Sequence, residues 1–294
     1  MSTDNLHRSR VLGPVFMCLA CLGFATLDTL IKYLSTRLPL TEVIWVRYAV
    51  QTAAMLLLFA PRMGARILRT ANLRLQLLRG GLLLGASLLV INGLSRLPLA
   101  ETTAVLFLAP LIITVLSVPV LGEKVGRMDV VGVLLGFVGM LIIVRPGGGL
   151  LTWAVLFPVG TAICNAAYQM VTRFFRGGEH PVTTNLYAGL VGVVVLAPLM
   201  PAVWVWPDAW TALMLVLAGL VATLAHYMII KALECSPAAA LGPYGYTQLI
   251  WAALLGLAVF GAFPDMLTWV GIAVIAGGGL LVSLYHLLSS RRKG

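Results

Sequence analysis

Charged residues are scarce in this chain. Lys, Arg, Asp and Glu make up 10% of its 294 residues, whereas hydrophobic residues make up 60%. A soluble domain carries roughly a quarter charged residues. This composition therefore excludes an ordinary soluble globular protein and predicts a membrane protein.

Catalytic motifs are missing as well. The sequence has no P-loop, no H-E-x-x-H and no G-x-S-x-G, and no loop long enough for a soluble catalytic domain. We therefore expect neither an enzyme nor an ATP-driven pump, and neither a cofactor nor a metal site. Of the four cysteines, Cys18 and Cys21 form a C-x-x-C pair inside an apolar run, where we interpret them as small apolar filler.

Long apolar runs take up most of the chain. A helix needs about 20 apolar residues to cross a bilayer, and continuous runs favour helices over alternating strands. The ten predicted spans are 13–34, 42–60, 79–96, 98–121, 128–145, 152–174, 181–203, 211–231, 237–260 and 266–288. The first is too long for a signal peptide, and Asp28 and Lys32 stand where a cleavage region is small and neutral.

The second half of the chain repeats the first. A shift of 139 positions aligns residues 98–141 with 237–280 without a gap. It superimposes residues that a shared backbone would keep, namely Pro98 on Pro237, Gly122 on Gly261, Gly132 on Gly271 and Gly139 on Gly278. Each half, 1–146 and 147–294, holds five predicted spans, and this odd number places the second copy upside down. The prediction is an all-α membrane protein of two inverted five-helix repeats around a central cavity, which is typical of transporters.

The positive charge is spread over the loops of one side. If both termini are cytoplasmic, only five of the 20 Lys and Arg residues lie on the outer side, namely Lys32, Arg37, Arg47, Arg96 and Arg145. This is the positive-inside bias. The longest inner loop, about Pro61 to Leu78, has Arg79 at its edge. Six tryptophans fall near the outer interface, as an aromatic belt requires: Trp45, Trp153, Trp204, Trp206, Trp210 and Trp269. We therefore expect the lipid bilayer as a partner and no nucleic acid.

Polar side chains near mid-span are candidates for binding a substrate, because polar groups in hydrocarbon are costly. They are Gln51, Ser87, Asn165 and Gln248, with Tyr168 and Gln169 within about a turn of Asn165. Such a ring would bind the amino and carboxylate groups of a substrate. The alternative is hydrogen bonding between helices, worth about 0.6 kcal/mol per bond. We favour that alternative for Gln51 and Ser87 and leave both roles open for the others.

The ninth predicted span combines a helix break with aromatic residues. Gly242-Pro243 interrupts its hydrogen-bond ladder, and broken helices at mid-membrane often mark transport sites. Tyr244, Gln248 and Trp251 follow with helical spacing and share a face. The repeat shift pairs Tyr246 with Phe107 and Gly242 with Thr103. Two such faces would frame one cavity for apolar or aromatic groups, and plain packing is the alternative.

Three titratable residues inside the spans are candidates for proton coupling. Asp28 precedes Lys32 by four residues, the favourable order for an ion pair on one helix, so we expect a self-neutralised pair. Proton coupling by Asp28 is the alternative. His226, in the inner half of the eighth span, would titrate near neutral pH, although a neutral hydrogen-bonded histidine is more common. Arg47 would attract carboxylates or, more commonly, extend to the lipid headgroups.

The segment ETTAVLFLAPLIITVLSVPVLGEKVGRMDVVGVLLGFVGMLIIVRP resembles the drug/metabolite transporter superfamily, and more closely its EamA-domain exporters. The matching parts are Pro110, the Leu121-Gly122-Glu123 span end, and the glycines at 132, 136 and 139. The second copy departs from them, with Leu249 in place of Pro110 and Ala262 in place of Glu123. The resemblance covers essentially the whole chain, which is also similar to the YddG-type amino-acid exporters.

The resemblance implies a multi-pass protein of the cytoplasmic (inner) membrane that exports neutral or aromatic amino acids or related small metabolites by alternating access. Spans 1, 3, 4, 6, 8 and 9 would wall the cavity. Transport would be facilitated or coupled to protons through Asp28 or His226. The alternative is a multidrug exporter of lipophilic cations driven by proton antiport. That function requires an unpaired acid deep in the cavity, whereas Asp28 has Lys32 beside it.

Overall fold

The computed structural model describes residues 3–109, 112–113, 115–116, 126–144, 153–173, 179–235, 241 and 244–291. Within these ranges the chain is helical and has no strand. The predicted all-α fold is confirmed for that part of the chain. The predicted break at Gly242-Pro243, together with Pro110 and the Leu121-Gly122-Glu123 segment, lies outside the described residues.

Ten α-helices of eight residues or more succeed one another in the described ranges. They are α1 (Thr3–Leu34), α2 (Leu40–Met63), α3 (Leu73–Leu94), α4 (Leu99–Leu106), α5 (Arg127–Val144), α6 (Leu156–Arg173), α7 (Pro181–Leu196), α8 (Ala209–Cys235), α9 (Thr247–Phe260) and α10 (Met266–Arg291). Short helical turns at Gly64–Leu68, Trp153–Val155, Ala197–Leu199 and Met200–Val203 extend or connect them. Each helix overlaps one predicted span, in the same order.

Six segments are long and apolar enough to cross a membrane. They are Leu12–Leu34, Leu40–Leu68, Leu73–Leu94, Trp153–Thr172, Val182–Val203 and Ala209–Ile229. Val130–Ile143, Thr247–Phe260 and Met266–Val282 are shorter apolar helices. The chain is therefore a multi-pass helical membrane protein, and crossing by all ten helices stays a prediction.

Local sequence signals determine where several helices begin. Pro39 and Pro98 directly precede α2 and α4, and Pro181 is the first residue of α7, where the missing N–H leaves no bond unmade. Asn72 caps α3 by accepting a hydrogen bond from Leu75 N at 3.2 Å. These signals determine where the long apolar helices begin, because the apolar residues inside the helices do not indicate where they begin or end.

Asp208 caps α8 from the preceding loop. The backbone N–H of Thr211 donates to Asp208 Oδ1 at 2.8 Å, and the Thr211 hydroxyl donates to Oδ2 at 3.0 Å. These hydrogen bonds hold the pKa of Asp208 below its usual value, because they stabilise the ionised carboxylate. The next helix, α9, stops at Gly261, whose φ of 64° lies in the left-handed region that favours glycine.

The packed pairs of helices follow the repeat. Each helix of the first half has a counterpart five helices later, and replacing every helix by its counterpart turns one set of packed pairs into the other. Helix α1 packs on α8, and its counterpart α6 packs on α3; α2 also contacts α8, and α7 contacts α3. Likewise α1 contacts α9 while α6 contacts α4. The remaining main pairs, α2–α7, α4–α9 and α5–α10, each join a helix to its own counterpart. The described packing therefore has the pattern of a two-fold axis relating the halves.

Glycines bring α5 and α10 into close contact. A Cβ on Gly139 would lie 2.8 Å from the carbonyl oxygen of Gly271, and a Cβ on Gly271 would lie 2.8 Å from that of Gly139. About two helical turns away, Gly132 and Gly278 also face each other, and the Cβ position of each lies near the carbonyl oxygen of the other. Since Gly132 meets Gly278 while Gly139 meets Gly271, the two helices run antiparallel. Small residues at such crossings let helix backbones approach closely.

Candidate functional site

Arg47 of α2 and Asp28 of α1 belong to one polar cluster in the helix bundle. Arg47 is 6% exposed, so it does not extend to the headgroups. Its Nη2 donates to Ser87 Oγ of α3 at 2.9 Å. Asp28 interacts electrostatically with Arg47 and through its carboxylate with the Gln248 side chain of α9. We call Asp28, Arg47, Ser87 and Gln248 the Arg47 cluster.

Two buried polar atoms of α2 beside this cluster have no hydrogen-bond partner. They are Arg47 Nε, a donor, and Gln51 Oε1, an acceptor. The two residues are one helical turn apart and so share a face. An unsatisfied buried polar group costs roughly 1–3 kcal/mol, so most are paired with protein or water. The predicted inter-helix bonding is thus seen for Ser87 but not at Gln51 Oε1.

A second buried arginine, Arg79 of α3, has a different environment. Its Nε donates to Thr172 Oγ1 and its Nη1 to the carbonyl oxygen of Thr184, both at 2.8 Å. Its Nη2 donates to Tyr168 OH, and the guanidinium lies 4.2 Å from the centre of the Tyr168 ring. We call Arg79, Tyr168, Thr172 and Thr184 the Arg79 cluster; it ties α3 to α6 and α7.

The assignment of Arg79 to the edge of the inner loop is wrong. Helix α3 begins at Leu73, well before the predicted start at 79, so Arg79 lies inside the helix and is 5% exposed. The leucines that precede Arg79 were the available signal, because a flexible loop gains nothing from such a run. The predicted substrate residue Tyr168 has its hydroxyl engaged by this arginine.

Tyr48 lies beside both clusters and was missed in the sequence. Its side chain is fully buried, and its hydroxyl lies 2.8 Å from Ser87 Oγ and 3.2 Å from the carbonyl oxygen of Leu83. Its ring lies 4.0 Å from the Arg47 guanidinium, and its side chain interacts electrostatically with Tyr168. A buried phenol needs a polar partner, so a tyrosine inside an apolar span was the sequence feature that could have identified Tyr48 as part of a polar cluster.

Lys32 has partners other than Asp28. Its ammonium donates to the carbonyl oxygens of Leu94 and Leu97 at 2.5 and 2.6 Å, at the end of α3. It lies 5.5 Å from the centre of the Phe260 ring and interacts electrostatically with Glu101 of α4. Exposed carbonyls at a helix end attract cations. The expected self-neutralised Asp28–Lys32 pair is therefore corrected to two separate environments.

Phe107 and Tyr246 stack on each other. Their ring centres are 5.2 Å apart and their planes differ by 26°. The two residues are counterparts under the 139-residue shift, and here their rings contact each other directly, as the packing alternative expects. Thr103, predicted on the same face, is fully buried and donates its hydroxyl to Leu99 O of its own helix at 2.8 Å.

Tyr244 and Trp251 line an apolar groove of 310 Å³ between α9 and α1. The other lining residues are Pro14, Val15, Cys18, Leu19 and Leu22. Val15 and Leu19 of α1 are exposed, so the groove is open on that side. Gln248, predicted to share a face with these rings, meets Asp28 instead. Asp28 and the other lining residues all belong to α1, so the three side chains meet the same helix at different positions.

His226, another predicted residue, interacts electrostatically with the arginine of each cluster. His226 places Nδ1 2.8 Å from the carbonyl oxygen of Ala222 and packs its ring edge-on to Phe24, with centres 5.1 Å apart. Asn165 is half-buried on α6, and Gln169 is exposed. Among the described residues, no group of three or more His, Cys, Asp or Glu side chains is placed to hold a metal ion.

A family model matches this chain twice, and several relatives are similar to it. The EamA-like transporter family model matches residues 11–145 and again 152–284. The riboflavin transporter of Vibrio cholerae is 31% identical over 96% of both chains. An S-adenosylmethionine uptake transporter of Rickettsia bellii is 28% identical over 92% of this chain and 93% of the relative. A pseudopaline exporter of Pseudomonas aeruginosa is also 28% identical, over 96% and 97%.

A solved crystal structure supports the fold. Its chain is 20% identical to this one and superimposes with a TM-score of 0.67 over 98% of this chain and 99% of that one. At this level of identity the likeness concerns the arrangement of helices alone.

Proposed function

We propose that this chain, which belongs to the EamA-like transporter family, exports neutral or aromatic amino acids or related small metabolites across the cytoplasmic membrane by alternating access. Its family and relatives are transporters and not enzymes. The observation that carries the alternating-access proposal is the exchange of helix pairs between the halves. Two pseudo-symmetric halves have two equivalent packings, one open to each side.

The antiparallel contact of α5 and α10 supports an inverted repeat. These helices are counterparts, and counterparts that run antiparallel belong to copies that are upside down relative to each other. The stacked counterparts Phe107 and Tyr246 fit the same axis, since a two-fold relation brings equivalent residues face to face. We therefore propose ten spans, with the halves 1–146 and 147–294 as the two repeats.

Exposed arginines support cytoplasmic termini. Exposed arginines occupy the last turn of α2, the connection to α3 and the first turn of α3, at the membrane side where α1 begins; they are Arg62, Arg66, Arg69 and Arg74. Cytoplasmic loops carry such an excess of positive charge. Exposed tryptophans support the opposite side as the outer interface, because Trp153 lies in the turn directly before α6, Trp206 lies in the loop before α8 and Trp210 lies in its first turn.

An amino-acid substrate is supported by the Arg47 cluster. A guanidinium and a carboxylate brought together from α2 and α1 offer partners for a carboxylate and an ammonium group. One relative is named for S-adenosylmethionine, a compound that carries such an amino-acid group. Lipophilic cations suit the site less well, because Arg47 and Arg79 would repel them in a low-dielectric interior.

Export is the proposed direction, although the relatives' names include both uptake and export. Counterflow of radiolabelled amino acids into proteoliposomes, with and without a pH gradient, tests substrate and energy source together. We expect exchange of neutral and aromatic amino acids. Acceleration by a pH gradient would assign proton antiport, and an unchanged rate would assign facilitated transport. Flux of lipophilic cations in place of amino acids would contradict the proposal.

A further inference from the structure

The two buried arginines differ in how completely the protein satisfies them. Arg79 donates through all three of its nitrogens, to Thr172, Thr184 and Tyr168. Arg47 is equally buried, yet its Nε has no partner and Ser87 receives its Nη2 hydrogen bond. A structural arginine of the first kind rigidifies the fold. An arginine of the second kind has donors left for a ligand.

The neighbours of Arg47 hold it in place without using up its donors. Ser87 fixes one edge of the guanidinium, and the Tyr48 ring covers it at 4.0 Å. Tyr48 is itself held through Ser87 Oγ and Leu83 O. Such preorganisation lowers the entropy cost of binding an anion. Arginine suits a carboxylate in particular, because its planar fork matches the two oxygens.

Groups of opposite polarity stand beside the free donor. Gln51 Oε1, one turn along α2, is a buried acceptor without a partner. Asp28 brings a carboxylate from α1, with Gln248 against it. An ammonium group would satisfy both acceptors, just as a carboxylate would satisfy Arg47 Nε. The Arg47 side of the site is therefore suited to bind an anion, and the adjoining Asp28 and Gln51 side is suited to bind a cation.

We propose that Arg47 and Asp28 form a zwitterion site, in which Arg47 binds the carboxylate of an α-amino acid and Asp28, with Gln51, binds its ammonium group. The inference rests on the proposed amino-acid transport and specifies which residues recognise the substrate. It assigns the common part of every amino acid to the first half of the chain. The side chain of the substrate is left to other residues, which fits a carrier for several amino acids.

Three related compounds separate the two charges. Phenylalanine has both groups, hydrocinnamate lacks the amino group, and phenethylamine lacks the carboxylate. Each competes with labelled phenylalanine in proteoliposome exchange, for the wild type and for the variants Asp28→Asn and Arg47→Gln. Arg96→Gln is the control, because Arg96 is exposed just beyond α3 and bonds to Asn92 in the last turn of that helix.

We expect Asp28→Asn to weaken the binding of phenylalanine and phenethylamine by about tenfold to a hundredfold, since charged hydrogen bonds contribute about 1.5–3 kcal/mol. The binding of hydrocinnamate should be unchanged or tighter. Arg47→Gln should instead weaken the binding of phenylalanine and hydrocinnamate while phenethylamine still binds. Arg96→Gln should leave the relative affinities of the three compounds unchanged. Where a neutral variant does not accumulate, Asp28→Glu and Arg47→Lys keep the charge and should keep the wild-type order.

Two failures are distinguishable. Phenylalanine exchange by the wild type, with all three compounds weakened equally in both variants, would overturn the zwitterion site and leave amino-acid transport standing. Absence of any amino-acid exchange by the wild type would overturn the proposed function and the site together. Thermal stabilisation of the purified protein by each compound gives the same comparison without requiring transport.

Discussion

The two halves of this chain share their packing but not their charges. Counterpart glycines make equivalent contacts in α5 and α10, and the counterparts Phe107 and Tyr246 stack on each other. Yet among the described residues the buried charged side chains are Glu42, Arg47 and Arg79, all in the first half. The buried polar side chains of the second half, within the same described ranges, are threonines.

This difference suggests a division of labour. The repeated positions are those that two helices need in order to cross closely, so the framework is what the halves have in common. In the zwitterion site proposed above, both recognition charges, Arg47 and Asp28, lie in the first copy. A symmetric frame with a one-sided site would carry that site from one packing to the other without two copies of the recognition groups.

The largest expected effect concerns the first-half arginines. Arg79→Gln removes the donor of three hydrogen bonds, to Thr172, Thr184 and Tyr168, and should lower the free energy of unfolding by about 3–5 kcal/mol, since each hydrogen bond from a charged group contributes about 1.5–3 kcal/mol. Arg47→Gln loses its bond to Ser87 and should cost about 1–2 kcal/mol. Denaturant unfolding in detergent measures both. Equal losses would erase the distinction between a structural and a ligand-binding arginine.

Glycine contacts test the shared framework at the next level. Gly139→Ala and Gly271→Ala each place a Cβ against the opposite backbone and should each cost about 1–3 kcal/mol, as overpacking does. The two costs should be similar because the contacts are reciprocal. Gly277→Ala on α10 is the control, since nothing lies within 4 Å of its Cβ position, and it should be tolerated. Tolerance of Ala at position 139 but not at 271 would show that the two glycine contacts are not equivalent.

The Phe107–Tyr246 stack offers a milder test. Exchanging the rings, with Phe107→Tyr and Tyr246→Phe combined, keeps the aromatic contact and should change exchange rates by less than about threefold, since an aromatic pair contributes about 0.5–1.5 kcal/mol. Tyr246→Ala should slow transport of bulky substrates by more than that. Trp251→Ala, in the apolar groove beside α1, is the comparison. A larger effect at Trp251 would return the groove to the substrate path.

The smallest effect concerns an exposed cap of the second half. Asp208→Asn should slightly lower stability at neutral pH, because the hydrogen bonds from Thr211 favour the ionised carboxylate. The folded pKa of Asp208 is lowered, so its contribution is complete above the unfolded value of about 3.9 and is lost as the pH falls through the lower folded value. Melting temperatures of the two proteins should converge in that acidic window. A constant difference would point to another cause.

Much of the fold was predictable from the sequence, because long apolar runs have few other structures open to them. The repeat shift aligned Phe107 with Tyr246, but it predicted a cavity between their faces and not the direct stacking of their rings. Partners across helices were harder. The i, i+4 spacing of Asp28 and Lys32 suggested a pair, but sequence spacing does not reveal the carbonyls of Leu94 and Leu97 that hold Lys32.

Arg47 and Arg79 show the same limit. From the sequence, Arg47 was expected to extend to the lipid headgroups and Arg79 to lie at the edge of an inner loop. What separates them is the number of hydrogen bonds made in the folded bundle, which depends on α3, α6 and α7 together. The sequence contains no local trace of that arrangement.

The most direct test of alternating access is trans-stimulation. Proteoliposomes loaded with unlabelled phenylalanine, or left empty, receive labelled phenylalanine outside, and initial uptake is compared. A carrier whose site faces one side at a time returns faster when loaded, so internal substrate should raise the initial rate severalfold and give a transient overshoot. Uptake that is independent of internal phenylalanine would contradict the account.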